Sequence, residues 1–369
     1  MTDVSPDLAG RIAAGARLSD EEALALLRSA DLLTLGELAD ARRQVAVPGR
    51  RVTYIVDRNI NYTNVCVSGC RFCAFYRSPG SPDAYVLSME EIVRKARETV
   101  EMGGTGVMLQ GGLHPDLDVT YFENLFRTLK REVPDLDIHS LSPPEIVFMA
   151  RLGHLHVRDV LERLRDAGLD SLPGGGAEIL VDRVRREVAP GKATADEWVE
   201  VMRQAHLLGM GTTATMMFGS VETLEDRVEH LRRVRELQDE TGGFRAFIPW
   251  TFQETNTALE GRGLRATGVD YLAMLAVSRL YLDNVTNIQA SWVTQGLKVG
   301  QVALRFGAND LGSTMIEENV VRSAGVSFTA GREDLEHVIR AAGFEPVQRR
   351  SDYSEVAAGF AGGSEGKPR

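Results

Sequence analysis

The chain has three cysteines, and all fall in one run, Cys66-Val-Ser-Gly-Cys70-Arg-Phe-Cys73, a C-x3-C-x2-C spacing. An odd set packed this closely is no disulfide framework, so the thiols serve one chemical task. Three thiolates in one loop can wrap a metal centre. A four-iron cubane usually takes four cysteines, so three leave one iron without a protein ligand. An open position is where a small molecule can bind, as in catalytic rather than structural zinc sites. The same thiols also suit a structural zinc site completed by one of the seven histidines, or a redox pair beside a spectator cysteine.

The elements around this loop read as an alternation. LSDEEALALLRS and LLTLGELADARRQV place apolar residues at helical spacing, with Ser19 as N-cap three residues before Glu22, so residues 1–48 form a helical cap. Strand-like runs follow at RVTYIVD, GVMLQ (106–110), LDIHSL (136–141), DSLP (170–173), TTATMM (212–217), FRAFIPW (244–250), NIQASW (287–292) and LRFGAND (304–310). Amphipathic helices fill the gaps, opened by the pairs Ser88 with Glu91 and Thr194 with Glu197. Eight strand-helix units predict a TIM-type (β/α)8 barrel over 49–312, since a doubly wound sheet closes with fewer. The cysteine loop then follows the first strand. Residues 313–357 read as a C-terminal helical segment packed on the barrel, and 358–369 as a disordered tail.

Composition narrows the ligand. With 42 Lys and Arg against 52 Asp and Glu, the formal charge is -10, which disfavours sequence-independent binding to nucleic acid or anionic lipid. A small-molecule substrate is expected. No run approaches the roughly 20 apolar residues of a membrane span, and MTDVSPDLAGRIAAG lacks the marks of a signal peptide, so a cytoplasmic protein is expected.

The cysteine spacing after the first strand, with Phe72 before the last cysteine, resembles the radical S-adenosylmethionine (SAM) superfamily. The resemblance implies a [4Fe-4S] cluster on Cys66, Cys70 and Cys73, SAM on the open iron, and a 5′-deoxyadenosyl radical released by one electron from a flavodoxin- or ferredoxin-type donor. Over about residues 50–347, Arg58-Asn-Ile-Asn-Tyr-Thr-Asn64, Cys73-Ala-Phe-Tyr-Arg77, Gln110-Gly-Gly-Leu-His-Pro115, His139-Ser-Leu-Ser-Pro-Pro-Glu145, Asn309-Asp-Leu-Gly-Ser313 and Glu317-Glu-Asn319 are similar to the futalosine-pathway and deazaflavin-synthase branch. Tyr62, Tyr76-Arg77 and the double proline look like the cyclases of that branch. These act on dehypoxanthine futalosine in menaquinone biosynthesis, with C4′ hydrogen abstraction and attack on the benzoate ring. The aminofutalosine synthases and the deazaflavin-cofactor synthases share other segments.

Carried onto this sequence, the resemblance assigns Gly111 and Gly112 to the methionine end of SAM, Glu178 to its ribose, and Thr215 and Phe72 to its adenine. Without it, Gly111-Gly112 reads equally as a turn, and Pro173-Gly-Gly-Gly-Ala-Glu178 as a phosphate cradle that the glutamate would spoil. For the substrate, polar residues at C-terminal strand ends are the candidates. His139, Asp310 and Glu317 are expected to be catalytic, and Arg77, Ser140, Asn309 and Ser313 to bind. Each has a bland counterpart: a core imidazole for His139, a helix-dipole acid for Glu317, a solvated loop charge for Arg77. Two readings of another class stand beside this one, a zinc-stabilised barrel without catalysis and an ordinary phosphate-binding barrel enzyme.

Overall fold

Three helices come first in the computed structural model, which describes residues 4–357: Pro6–Ala13, Asp20–Ser29 and Leu32–Ala46. Each starts on a side chain that satisfies a free amide of the first turn. Ser5 accepts from the Leu8 N–H at 3.2 Å, Ser19 and Glu22 form a reciprocal capping box, and Asp31 accepts from the Thr34 N–H at 3.0 Å. The expected N-terminal cap is therefore helical, while the expected tail lies outside the described residues.

Nine parallel strands follow: β1 Arg51–Ile55, β2 Asp57–Ile60, β3 Gly106–Leu109, β4 Asp137–Ile138, β5 Thr212–Phe218, β6 Phe244–Thr251, β7 Asn287–Ile288, β8 Asp310–Ser313 and β9 Glu345–Gln348. They pair as β8-β1-β9, β2-β3-β4 and β5-β6-β7. Parallel bridges His139↔Ser171, Leu172↔Thr212 and Gln289↔Asp310 join these triplets into a closed ring, with Ser171 and Leu172 standing for the fourth strand. The result is the expected (β/α)8 barrel, with helices outside and a lumen inside.

Two features depart from the sequence reading. The eighth strand is Asp310–Ser313 and not 304–310. Arg305 and Phe306 bond back to Val302 and Ala303 at 2.8 and 3.0 Å, finishing the helix Trp292–Ala303 in turns. The chain then reverses at Gly307, whose φ of 98° suits glycine. Asn309 and Asp310 consequently sit at the entry of the strand, on the barrel floor, and not in a loop at its catalytic end.

The second departure is that the C-terminal segment is not helical throughout. After helices Val320–Ser323 and Arg332–Ala341 it supplies β9. β1 and β2 are one strand broken at Val56, with β9 paired to the first half and β3 to the second. Beyond β9 the chain crosses under the lumen. Arg350 reaches Asp137 at 2.7 Å, and Arg245 reaches the Ser351 carbonyl at 3.3 Å. Among the described residues no helix is long and apolar enough to cross a membrane.

Candidate active site

The cysteine loop leaves the end of β2 and is pinned at both ends by backbone bonds. The Cys66 N–H bonds to the Arg77 carbonyl at 2.9 Å, the Arg77 N–H to Asn64 at 2.7 Å, and the Val67 N–H to Leu113 at 3.1 Å. Gly111 and Gly112 let the loop lie against the end of β3. A Cβ on Gly112 would stand 2.1 Å from the Val65 carbonyl oxygen, and one on Gly111 2.6 Å from the Tyr62 ring. Packing of the cluster loop alone thus requires both glycines.

Cys70 is buried and its two companions are half-buried. The Ser68 N–H points to Cys66 Sγ at 3.4 Å, and the Ser68 hydroxyl lies 3.0 Å from Cys70 Sγ. Burial pushes the Cys70 thiol up to about 11, opposed by the charge of Lys192. An all-thiol donor set near a lysine suits an anionic iron-sulfur cluster. Arg77, expected to bind the substrate, instead gathers the carbonyls of Ala74, Phe75 and Tyr76 at 3.3, 3.2 and 2.9 Å and pairs with Asp83 at 2.5 Å. It fixes the turn after Cys73.

The lumen holds a cavity of about 280 Å³ that brings together four of the expected residues, His139, Glu178, Thr215 and Ser313. Glu178 follows three glycines in the left-handed region, φ 41°, and is 4% exposed. Lys192 reaches its Oε1 at 2.8 Å, while Oε2 accepts no hydrogen bond and has only the Arg185 guanidinium, its Nη1 at 3.5 Å, as an ion-pair partner. A buried carboxylate oxygen that accepts no hydrogen bond fits the hydroxyls of a SAM ribose. Thr215 donates to the Gly174 carbonyl at 2.7 Å, and Phe72 lies under Lys192, 4.9 Å from the ring centroid, outside the cavity lining.

His139 Nδ1 sits 2.7 Å from the Ser171 hydroxyl, and burial, reinforced by Arg245 and Arg349, lowers its pKa to about 3. Its imidazole is neutral at ordinary pH. Ser313 donates to Asp57, whose carboxyl is raised to about 6, chiefly by burial. The sequence reading missed Asp57. The period-two alternation Asp57-Arg58-Asn59 carried the signal, because residues i and i+2 of a strand share a face, and Asp57 and Asn59 both line the lumen.

The other expected substrate residues are struts. Ser140 accepts from the Leu109 N–H at 3.0 Å and is fully buried between strands. Asn309 is held by Arg279 at 2.6 Å and Asn287 at 2.8 Å, and Asp310 is saturated by Arg349, Thr53 and the Gly312 N–H. Glu317 pairs with Lys95 at 2.6 Å and lines a second cavity of about 450 Å³ with Arg77. Its neighbour Glu318 is the one that faces the lumen, where Asn59 donates to it at 3.1 Å.

Residues 60–234 match the family described as the radical SAM superfamily, and residues 241–358 match the CofH/MqnC C-terminal region. The chain is 49% identical over 357 residues to the cyclic dehypoxanthine futalosine synthase of Streptomyces coelicolor, covering 96% of this chain and 89% of the relative. It is 44% identical over 321 residues to the 5-amino-6-(D-ribitylamino)uracil–L-tyrosine 4-hydroxyphenyl transferase of Methanopyrus kandleri, covering 85% and 86%. Among solved structures, methylornithine synthase (PylB) matches with a TM-score of 0.70 at 22% identity, over 92% of this chain and 97% of that one, a likeness of fold.

Proposed function

This chain belongs to the radical SAM superfamily, as an enzyme that uses a [4Fe-4S] cluster and SAM, and from that premise we propose that it cyclises dehypoxanthine futalosine in menaquinone biosynthesis. The observation that carries the proposal is the similarity to the Streptomyces coelicolor synthase along nearly all of both chains. When bound, cluster and SAM supply a 5′-deoxyadenosyl radical that can take the ribose C4′ hydrogen, leaving the substrate to close onto its own benzoate ring.

The protein's residues do the holding. Cys66, Cys70 and Cys73 take the cluster in a loop whose turn Arg77 fixes. Glu178 accepts from the SAM ribose through Oε2, which takes no hydrogen bond from the protein, with Thr215 on the same lumen. Ile248, Trp250 and Trp292 form an apolar, aromatic wall that suits an arene. The closed ring must lose a proton and an electron: an oxidised cluster would take the electron, and His139, which faces the same lumen, is the candidate to take the proton. Because radical and acceptor belong to one molecule, a single small cavity is enough, and positioning is the main work. A flavodoxin- or ferredoxin-type donor in the cytoplasm completes the proposal.

An anaerobic assay with SAM, reductant and dehypoxanthine futalosine tests it. A product two hydrogens lighter than the substrate is expected, alongside 5′-deoxyadenosine. The resemblance to the Methanopyrus kandleri transferase supplies the contrary outcome. Turnover only with L-tyrosine and 5-amino-6-(D-ribitylamino)uracil would assign an aryl transfer instead.

A further inference from the structure

Three polar side chains on one wall of the lumen have no part in the chemistry above. Asp57 and Asn59 share the inner face of β2, and Glu318 leans over them from the segment after β8. Asn59 is 3% exposed, and its Oδ1 has no hydrogen-bond partner although it lines the cavity. Its Nδ2 donates to Glu318 Oε2 at 3.1 Å, which fixes which atom faces inward. Ser313 donates to Asp57 Oδ1, and no described side chain donates to Oδ2. A buried acceptor left open costs free energy unless something donates to it.

We propose that Asp57, Asn59 and Glu318 form a binding site for the hydroxyls of a ribose-type polyol in the substrate. This rests on reading the lumen as the substrate site. The oxygens left open on the wall, Asn59 Oδ1 and Asp57 Oδ2, are acceptors, so its ligand brings donors. An anion is disfavoured because Arg349, the one cation among the described residues lining the cavity, is spent: Nε and Nη2 bond to Asp310 at 2.5 and 3.0 Å, and Nη1 to the Arg350 carbonyl at 3.2 Å. The substrate's carboxylate therefore lies elsewhere. Acceptors at i and i+2 of a strand stand about 7 Å apart, a spread that suits spaced hydroxyls better than the single point of an ammonium group.

The experiment uses the anaerobically reconstituted holoenzyme with SAM bound. Dissociation constants are measured by titration for dehypoxanthine futalosine, for 5-amino-6-(D-ribitylamino)uracil and for L-tyrosine, in wild type, Asn59→Leu and Glu318→Leu. Whichever polyol the wild type binds should bind about tenfold more weakly to the variants, and a deoxy analogue of that polyol should lose affinity for wild type but little for Asn59→Leu. SAM affinity reports the fold. Should Asn59→Leu fail to hold SAM, Glu318→Leu decides, since it lies outside the barrel strands. Unchanged polyol affinity in a folded variant overturns the proposal. So does a wild type that binds neither polyol, or variants that lose only L-tyrosine. Polyol dependence seen with the uracil compound alone sinks the cyclase reading while leaving the wall as proposed.

Discussion

Arg349 and Asp310 meet side by side under the lumen, Nε to Oδ2 at 2.5 Å and Nη2 to Oδ1 at 3.0 Å, with side chains 5% and 0% exposed. The pair ties the C-terminal crossing to the entry of β8. It closes the barrel floor and leaves neither group free for substrate.

Breaking that pair should therefore cost stability before it costs chemistry. Arg349→Met leaves Asp310 buried without its counter-charge, and a loss of about 3–5 kcal/mol is expected. The double variant Arg349→Met/Asp310→Leu should recover much of it, since two apolar side chains avoid desolvating any ion. Urea unfolding of the two variants checks this. Equal losses in both would show that the pair is not coupled.

Replacing Cys66, Cys70 or Cys73 by Ala should abolish SAM cleavage with circular dichroism unchanged. The loop is pinned by backbone bonds at Cys66, Val67 and Arg77 that do not involve the thiols, so the fold does not depend on them. Deoxyadenosine formed at the wild-type rate by Cys70→Ala would contradict a three-cysteine cluster.

Glu178→Gln should weaken SAM binding by about 1.5–3 kcal/mol, the range for a hydrogen bond to a charged group. Lys192 lies 2.8 Å from the carboxylate and would lose its ion pair as well. Equilibrium binding of SAM to the reconstituted protein measures the change. An unaltered dissociation constant would remove Glu178 from the SAM site.

Acid should destabilise the protein before its carboxylates titrate. His139 and His230 are lowered to about 3 and His206 to about 4, in each case chiefly by burial, against an ordinary value of 6.5. Below that value the unfolded chain binds protons that the folded chain refuses, so stability falls as pH drops. Asp57 opposes this. Its folded carboxyl is raised to about 6 from 3.8, so its contribution grows as pH falls through that window. Glu145 and Glu318, also raised chiefly by burial, act in the same direction as Asp57, but the imidazoles begin to titrate at a higher pH than these carboxyls, and the urea midpoint should drop from about pH 7 to about pH 5. Asp57→Asn should steepen the drop, and a midpoint that rises on acidification would refute the assignment.

Local signals were the legible part of this chain. Ser19 and Glu22, or Thr194 and Glu197, mark helix starts because a cap acts within one turn, and the structure has both capping boxes. The cysteine loop was legible because three thiols in eight residues have few uses. Long-range pairing was not. β9 is half-exposed and carries no alternation of its own, and it becomes a strand only through β1, from the far end of the chain. At Glu317 and Glu318 composition could not say which of two adjacent acids faces inward. That is decided by Lys95 on one side and Asn59 on the other. Asn309 and Asp310 were misplaced because a strand boundary slipped past Gly307, which carried both residues from floor to mouth.

The last prediction concerns the reacting hydrogen. If the lumen holds one dehypoxanthine futalosine molecule with its sugar toward Asp57 and Asn59 and its ring toward Trp250 and Trp292, then C4′ shares one cavity with the SAM site at Glu178 and the aromatic wall. Reaction requires a near-attack separation of about 3–3.5 Å, which a cavity of about 280 Å³ can enforce without a second substrate. Deuterium placed at C4′ should then appear in the 5′-deoxyadenosine, read by mass. Asn59→Leu should lower the yield of cyclic product per deoxyadenosine formed, because a loosely held sugar lets the radical be quenched before closure. Deuterium retained in the nucleoside product would place the abstraction elsewhere and end the cyclase assignment.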